Sequence, residues 1–169
     1  MPGDRAVDCT AGNGHDTLFL LEKTAPDGFV HAFDIQASAI EKTRKRLEKA
    51  GIPPSCYNLI QDCHSHIAEH VQPGIAACMF NLGYLPGASH EITTEPFTVM
   101  KALDCAIDLL KSQGIITVVM YPGHEAGRHE MELLLEFVRS IDEKRCRVMH
   151  LLNVNTAKIS PSILVLQKL

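Results

Sequence analysis

Short apolar runs alternate along the chain with stretches whose apolar residues recur at helical spacing. Ala6 to Cys9 is one such run. It leads through Gly12-Asn-Gly14 into His15 to Lys23, where Leu18, Leu20 and Leu21 stand at near-helical intervals, so strand, tight turn and helix are expected in that order. Phe29 to Phe33 predicts a second strand ending at Asp34. Ser38 to Ala50 places Ile40 and Leu47 among the basic residues Lys42, Arg44, Lys45, Arg46 and Lys49 and closes at Gly51, the pattern of an amphipathic helix. A weaker strand, Cys56 to Ile60, ends at Gln61-Asp62. Ile75 to Phe80 is continuously apolar, as central parallel strands are, and stops at Asn81-Leu-Gly-Tyr-Leu-Pro86. Thr94 is expected to cap a helix with Pro96 in its first turn that runs to Lys111, followed by Gly114 and a strand from Ile115 to Tyr121. A helix from Glu125 to Ser140 and strands at Arg147 to Val154 and Ser162 to Leu166 complete the pattern.

Strands and helices alternating in this way predict an α/β fold, a doubly wound and mostly parallel sheet, because each crossover helix must pack back on a sheet face with right-handed connections. A turn around Lys158 to Pro161 joins the last two strands and adds one antiparallel strand near the C-terminus. Length changes the picture little: 169 residues suit a single domain over 1–169. With 46% hydrophobic and 21% charged residues the chain is not of the disordered kind, and no apolar run reaches the roughly 18 residues of a membrane span. Neither a secretory signal nor a membrane partner is expected, and a cytoplasmic location is. The six cysteines form no C-x-x-C pair, so no metal site and no disulfide framework is expected. At a net charge of -4, a nucleic-acid partner would have to be held by a local basic patch.

In an open α/β sheet, ligands bind beyond the carboxyl ends of the strands, where the strand order reverses. Asp8, Gly12, Gly14, Asp34 and Asp62 fall at those ends. The two glycines let the backbone turn sharply and come close to a ligand, and Asp34 stands where a carboxylate accepts ribose hydroxyls. A dinucleotide fingerprint would need a small residue where Thr17 stands, and Asp16 at the helix start would repel a pyrophosphate. The acidic ring suits a ligand carrying a sulfonium and an ammonium. The bland alternatives are that the glycines only turn the chain, that Asp16 is only a first-turn carboxylate, that Asp62 only caps a loop and that Gln36 is a solvated turn residue.

Past the fourth strand, Asn81 offers an amide that can orient an amine lone pair, and Tyr84 a flat ring on which a base can stack. No cysteine nucleophile stands between Asn81 and Pro86, which favours direct transfer to nitrogen. Tyr121-Pro-Gly-His124 brings His124 to the same crevice as a proton acceptor or an RNA contact, with a structural role as the alternative.

The motifs Asp8-Cys-Thr-Ala-Gly-Asn-Gly-His-Asp-Thr17, Asn81-Leu-Gly-Tyr-Leu-Pro-Gly87, Thr93-Thr94 and Tyr121-Pro-Gly-His124 together resemble the YtqB/MnmM family of class I methyltransferases, earlier described as rRNA methylases. The resemblance spans essentially the whole chain. It implies a Rossmann-like sheet, S-adenosylmethionine as cofactor with S-adenosylhomocysteine as product, and a tRNA substrate. The implied reaction methylates the aminomethyl nitrogen of 5-aminomethyl-2-thiouridine at the wobble position. It implies cofactor contacts at Asn13, Asp16, Asp34, Gln36, Cys63 and His64, with Asn81, Tyr84 and His124 on the substrate side; a homodimer is one open option for its assembly. The residues alone leave open an rRNA or small-molecule amine methyltransferase, or a non-catalytic module that holds an adenine nucleotide. The sequence departs from the family at Pro86-Gly-Ala-Ser-His90, where relatives have Gly-Gly and then Lys, and at Lys158-Ile-Ser-Pro161, where they have Asn-Asn-Pro-Pro. Relatives also carry a helix-bearing stretch before the first strand.

Overall fold

A computed structural model describes residues 2–83 and 95–169. Five strands of apolar sequence lie parallel at the centre: β1 (Arg5–Asp8), β2 (Phe29–Phe33), β3 (Tyr57–Ile60), β4 (Ile75–Asn81) and β5 (Leu110–Met120). Two more, β6 (Cys146–Leu151) and β7 (Ser162–Lys168), extend the sheet to the order β3-β2-β1-β4-β5-β7-β6. β7 runs antiparallel to both β5 and β6, so it is the single reversed strand expected from the C-terminal turn. The strand order reverses between β1 and β4, which opens a gap beyond their carboxyl ends.

The helices are α1 (His15–Thr24), α2 (Ala37–Lys49), α3 (Ile67–His70), α4 (Pro96–Leu109) and α5 (Glu125–Arg139). Leu20 and Leu21 of α1 and Leu47 of α2 pack with Ala6 and Val30 in one cluster. Ile67 of α3, Leu103 and Ile107 of α4 and Leu134 of α5 pack with Phe80, Ile116 and Leu164 in a larger one. Each such side chain, removed from water, contributes about 1.5 to 3 kcal/mol, so the two clusters hold the helices to the sheet.

The sequence pattern differs from the structure in several places, the strand expected to reach Val154 ending at Leu151 among them. The expected helix to Lys111 ends at Leu109, because Leu110 already pairs with Ile75. The strand then shifts register around Gln113 (φ 64°) before Ile115 pairs with Ala77. Between β3 and β4 a 3-10 turn, His64–His66, runs into α3, which is too short to show a helical period yet fully buries Ile67. The expected cap Thr94 lies outside the described residues; Glu95 holds the cap position of α4 and makes no side-chain capping bond.

Gly14 fixes the turn between β1 and α1. It caps α1 with φ 76°, in the left-handed region, and a Cβ there would lie 2.9 Å from Thr43 Cα of α2. Gly14→Ala is therefore expected to lose on the order of 2 kcal/mol or more in denaturant unfolding. The clash is with backbone, so adding Thr43→Ala should leave most of the loss in place; full recovery in the double variant would contradict this account.

Candidate functional site

The gap between β1 and β4 is a crevice of about 970 Å³. Gly12, Asn13, His15 and Asp16 line it from the first loop, Asp34, Ile35 and Gln36 from the end of β2, and Asp62, Cys63 and His64 from the end of β3. Asn81, Gly83, Tyr121 and His124 close the other end. Among the described lining residues there are four carboxylates, Asp16, Asp34, Asp62 and Glu95, and neither a lysine nor an arginine. A cavity so lined favours a cationic guest and disfavours a phosphate.

Asp34 ties the walls together. Its Oδ2 accepts the Gly12 N–H at 2.9 Å and its Oδ1 the Gln36 N–H at 2.9 Å. Each oxygen keeps a lone pair for a hydroxyl from the crevice. Asn13 is held from behind, its carbonyl accepting from Arg46 Nε at 2.6 Å, while Arg46 Nη2 donates to His15 Nε2 at 2.9 Å.

Three expected cofactor residues take a different place. Asp8 is fully buried below the crevice, accepting the Thr17 hydroxyl at 2.6 Å and the Thr10 N–H at 3.0 Å. Thr17 and Gly14 are likewise buried and do not line the crevice. These residues shape the loop from below, because the chain turns inward at Asp8 before it opens at Gly12.

Asp62 lines the crevice, but both its oxygens are engaged, Oδ1 by His66 Nδ1 and Oδ2 by His70 Nε2, each at 2.9 Å. These bonds, that from His70 foremost, hold its pKa down at about 2. The Cys63 N–H donates to Asp62 Oδ1 at 2.7 Å. His64 Nδ1 donates to the Cys9 carbonyl at 3.2 Å, and burial lowers the pKa of the ring, so it is neutral with its proton on Nδ1. Nε2, bare and buried, has no partner among the described residues.

At the substrate end, Asn81 is fixed twice: its N–H donates to Thr10 Oγ1 at 2.8 Å, and its Oδ1 accepts the Tyr121 hydroxyl at 2.9 Å. A Cβ at Gly83 would touch the Tyr121 ring at 3.4 Å, an ordinary contact, but the backbone there has a φ of 152°, which L side chains rarely adopt. His124 caps α5, its Nδ1 accepting the Gly127 N–H at 3.0 Å. That bond engages the Nδ1 lone pair, on which the expected proton-acceptor role would draw. Tyr84 lies outside the described residues. Tyr121, in the same Tyr-Pro-Gly-His motif, lines the crevice too, as do Glu95, Thr98 and the turn Ile159-Ser-Pro161, none of which the sequence pattern marks.

A profile of the family described as "Putative rRNA methylase" matches residues 30–167. The chain belongs to that family. It is the methyltransferase family that the sequence resembles. The chain is 41% identical over 144 residues to "tRNA (mnm(5)s(2)U34)-methyltransferase, chloroplastic" of Arabidopsis thaliana, an alignment covering 80% of this chain and 53% of that protein. It therefore spans about half the length of that curated relative. Among solved structures, the "putative rRNA-methylase" from Clostridium thermocellum superposes with a TM-score of 0.96 at 40% identity, over 99% of this chain and 90% of the other. SMU.1697c, a "putative methyltransferase" from Streptococcus mutans solved in complex with SAH, superposes with a TM-score of 0.88 at 34% identity, over 99% and 90%.

Within this fold, Asp8 gives a direct test of the loop's construction. Burial raises its carboxyl from the ordinary 3.8 to about 6, against the lowering effect of its bonds from Thr17 and Thr10. The folded protein thus holds a proton there that the unfolded chain releases near pH 4. The associated stability, on the order of 3 kcal/mol, is fully present below about pH 4 and lost as pH rises through about 6. Relative to the wild type, Asp8→Asn should gain stability across that window and add nothing below it. Parallel unfolding curves at pH 4 and pH 7 would show that Asp8 is not a buried titrating group.

Proposed function

We propose that this protein is a tRNA-modifying N-methyltransferase that converts 5-aminomethyl-2-thiouridine at the wobble position into 5-methylaminomethyl-2-thiouridine. The observation that carries the proposal is the crevice itself, lined by carboxylates without a lysine or arginine among the described residues and opening on the clamped amide of Asn81. The name of the chloroplast relative supports the choice of substrate. On this reading the protein acts in the cytoplasm as one domain, alone or as a homodimer.

The residues present fit S-adenosylmethionine. Asp34 would accept its ribose hydroxyls, Asp16 would face its ammonium, and Gly12, Asn13, Gln36, Asp62, Cys63 and His64 would surround the nucleoside. When bound it supplies an electrophilic methyl group on a positively charged sulfur. Asn81 then has a defined task. Its Oδ1, held by Tyr121, keeps a lone pair that accepts an N–H of the incoming amine and so aims the nitrogen lone pair at the methyl carbon. Transfer would form the N–C bond as the S–C bond breaks, and the amine's surplus proton would pass to solvent, the Nδ1 of His124 being engaged in the helix cap. Tyr84 is proposed to stack on the base. A primary alkylamine is protonated in neutral water, so single-turnover methylation should rise with pH and level off once the neutral amine predominates. An rRNA substrate is the second reading, favoured by the family's description.

Nucleosides from cells lacking the protein should retain 5-aminomethyl-2-thiouridine in tRNA, and purified protein with S-adenosylmethionine should convert it. An unchanged wobble profile with another methylated nucleoside missing would overturn the tRNA assignment. Asn81→Ala should slow single-turnover methylation by about 10- to 100-fold, the worth of a hydrogen bond to a developing charge, with cofactor affinity nearly unchanged. Tyr121→Phe should slow it by about tenfold or less. Asp34→Ala should show the opposite split, weakening cofactor binding by about 1.5 to 3 kcal/mol in calorimetric titration. A normal rate in Asn81→Ala at saturating tRNA and cofactor would remove Asn81 from the transfer site.

A further inference from the structure

Helix α2 differs in charge from every other described helix. It carries five basic residues against two acidic, net +3, within a chain whose 16 basic and 20 acidic residues give -4, so the rest of the molecule sums to -7. The helices α1, α3, α4 and α5 each carry more Asp and Glu than Lys and Arg. At 3.6 residues per turn, positions 42, 45, 46 and 49 fall within an arc of about 100°, so Lys42, Lys45, Arg46 and Lys49 form one stripe along the helix. Ala39, Ile40, Thr43 and Leu47 occupy the buried side. Glu41 is the stripe's acidic neighbour, 3.3 Å from Lys45 and 3.7 Å from Arg44, and no ion pair engages Lys42 or Lys49 among the described residues.

Arg46 joins this stripe to the crevice, since its guanidinium bonds both the Asn13 carbonyl and the His15 ring, and both residues line the opening. A positive track thus starts at the rim of a crevice that is itself acidic. We infer that Lys42, Lys45 and Lys49 form an RNA-docking track, holding consecutive backbone phosphates of the substrate strand while its target nucleotide enters the crevice. The inference rests on the RNA reading of the crevice and gives the molecule the local cationic patch that its negative total charge requires of an RNA-binding protein. Contacts of this kind carry no sequence information; they set affinity and register. Arg46 is not part of the track in the same sense, because its donors already serve Asn13 and His15.

The test is the salt dependence of RNA binding by the whole protein, with tRNA and rRNA fractions from cells lacking it as probes. The variant Lys42→Glu/Lys45→Glu/Lys49→Glu should bind at least about tenfold more weakly near 100 mM salt. Its plot of log affinity against log salt should be shallower by about 2, since three phosphate contacts at about 0.7 to 0.9 each are lost. Its melting temperature and its affinity for S-adenosylhomocysteine should match the wild type, which shows that the fold and crevice are intact. The corresponding triple arginine variant should restore binding, and Glu41→Gln should strengthen it. Unchanged RNA affinity and slope in the triple glutamate variant would overturn the track, as would wild-type binding to phosphatidylserine vesicles but not to RNA. If RNA binding is lost in the variant while the wild type leaves the wobble nucleoside untouched, the track stands and the tRNA assignment falls. If wobble methylation at sub-saturating tRNA proceeds equally in wild type and variant, the reverse holds.

Discussion

A single carboxylate joins the two loops between which the crevice opens. Asp34 stands at the end of β2 and draws in the Gly12 N–H from the loop after β1 and the Gln36 N–H from the start of α2. Hydrogen bonds to a charged acceptor are worth about 1.5 to 3 kcal/mol each, enough to fix the spacing of both walls. The same charge, with Asp16, Asp62 and Glu95 around it, decides what the crevice admits. Backbone donors and acids are arranged here as they would be for a ligand with positive groups and a ribose, and the glycine loop lacks the cationic side chain that would hold a phosphate.

The loop could not keep this shape without the residues beneath it. Asp8 is a carboxylate in a dry site, tolerated because Thr17 and the Thr10 N–H satisfy its oxygens, and Thr10 in turn reaches across to the backbone of Asn81. A chain of short contacts thus runs from the floor of the cofactor end to the amide at the substrate end. Tyr121, directly after β5, completes it. The two ends of the crevice are therefore parts of one construction, and a change at Thr10 or Gly14 should be felt at both.

Much of this was legible in the sequence, for physical reasons. Phe29–Phe33 and Ile75–Asn81 are strands whose apolar runs admit little else, and the glycine loop with Asp34 after the second strand points to a ligand site at the switch point. Other features depend on geometry that no local pattern encodes. An acid at a strand end reads the same whether it faces the crevice, as Asp34 does, or turns inward to Thr17, as Asp8 does. Histidine is not among the preferred helix caps, so His124 invited a chemical role while the neighbouring Tyr121 made the bond to Asn81. Helix α3 is four residues long and leaves no periodic trace, yet its His70, with His66 beside it, occupies the oxygens of Asp62.

On the proposed function, charge also divides the molecule by task, with an acidic crevice for the donor of the methyl group and a basic helix at its rim for the polyanion that would receive it. The central claim is the first half of that division. It is tested most directly by calorimetric titration of the purified protein with S-adenosylhomocysteine and, separately, with NADH, at the same salt and pH. The account predicts saturable binding of S-adenosylhomocysteine and no measurable binding of NADH, whose two phosphates would face the carboxylates of Asp16 and Asp34. Comparable affinities for the two, or displacement of S-adenosylhomocysteine by NADH at similar concentration, would contradict it.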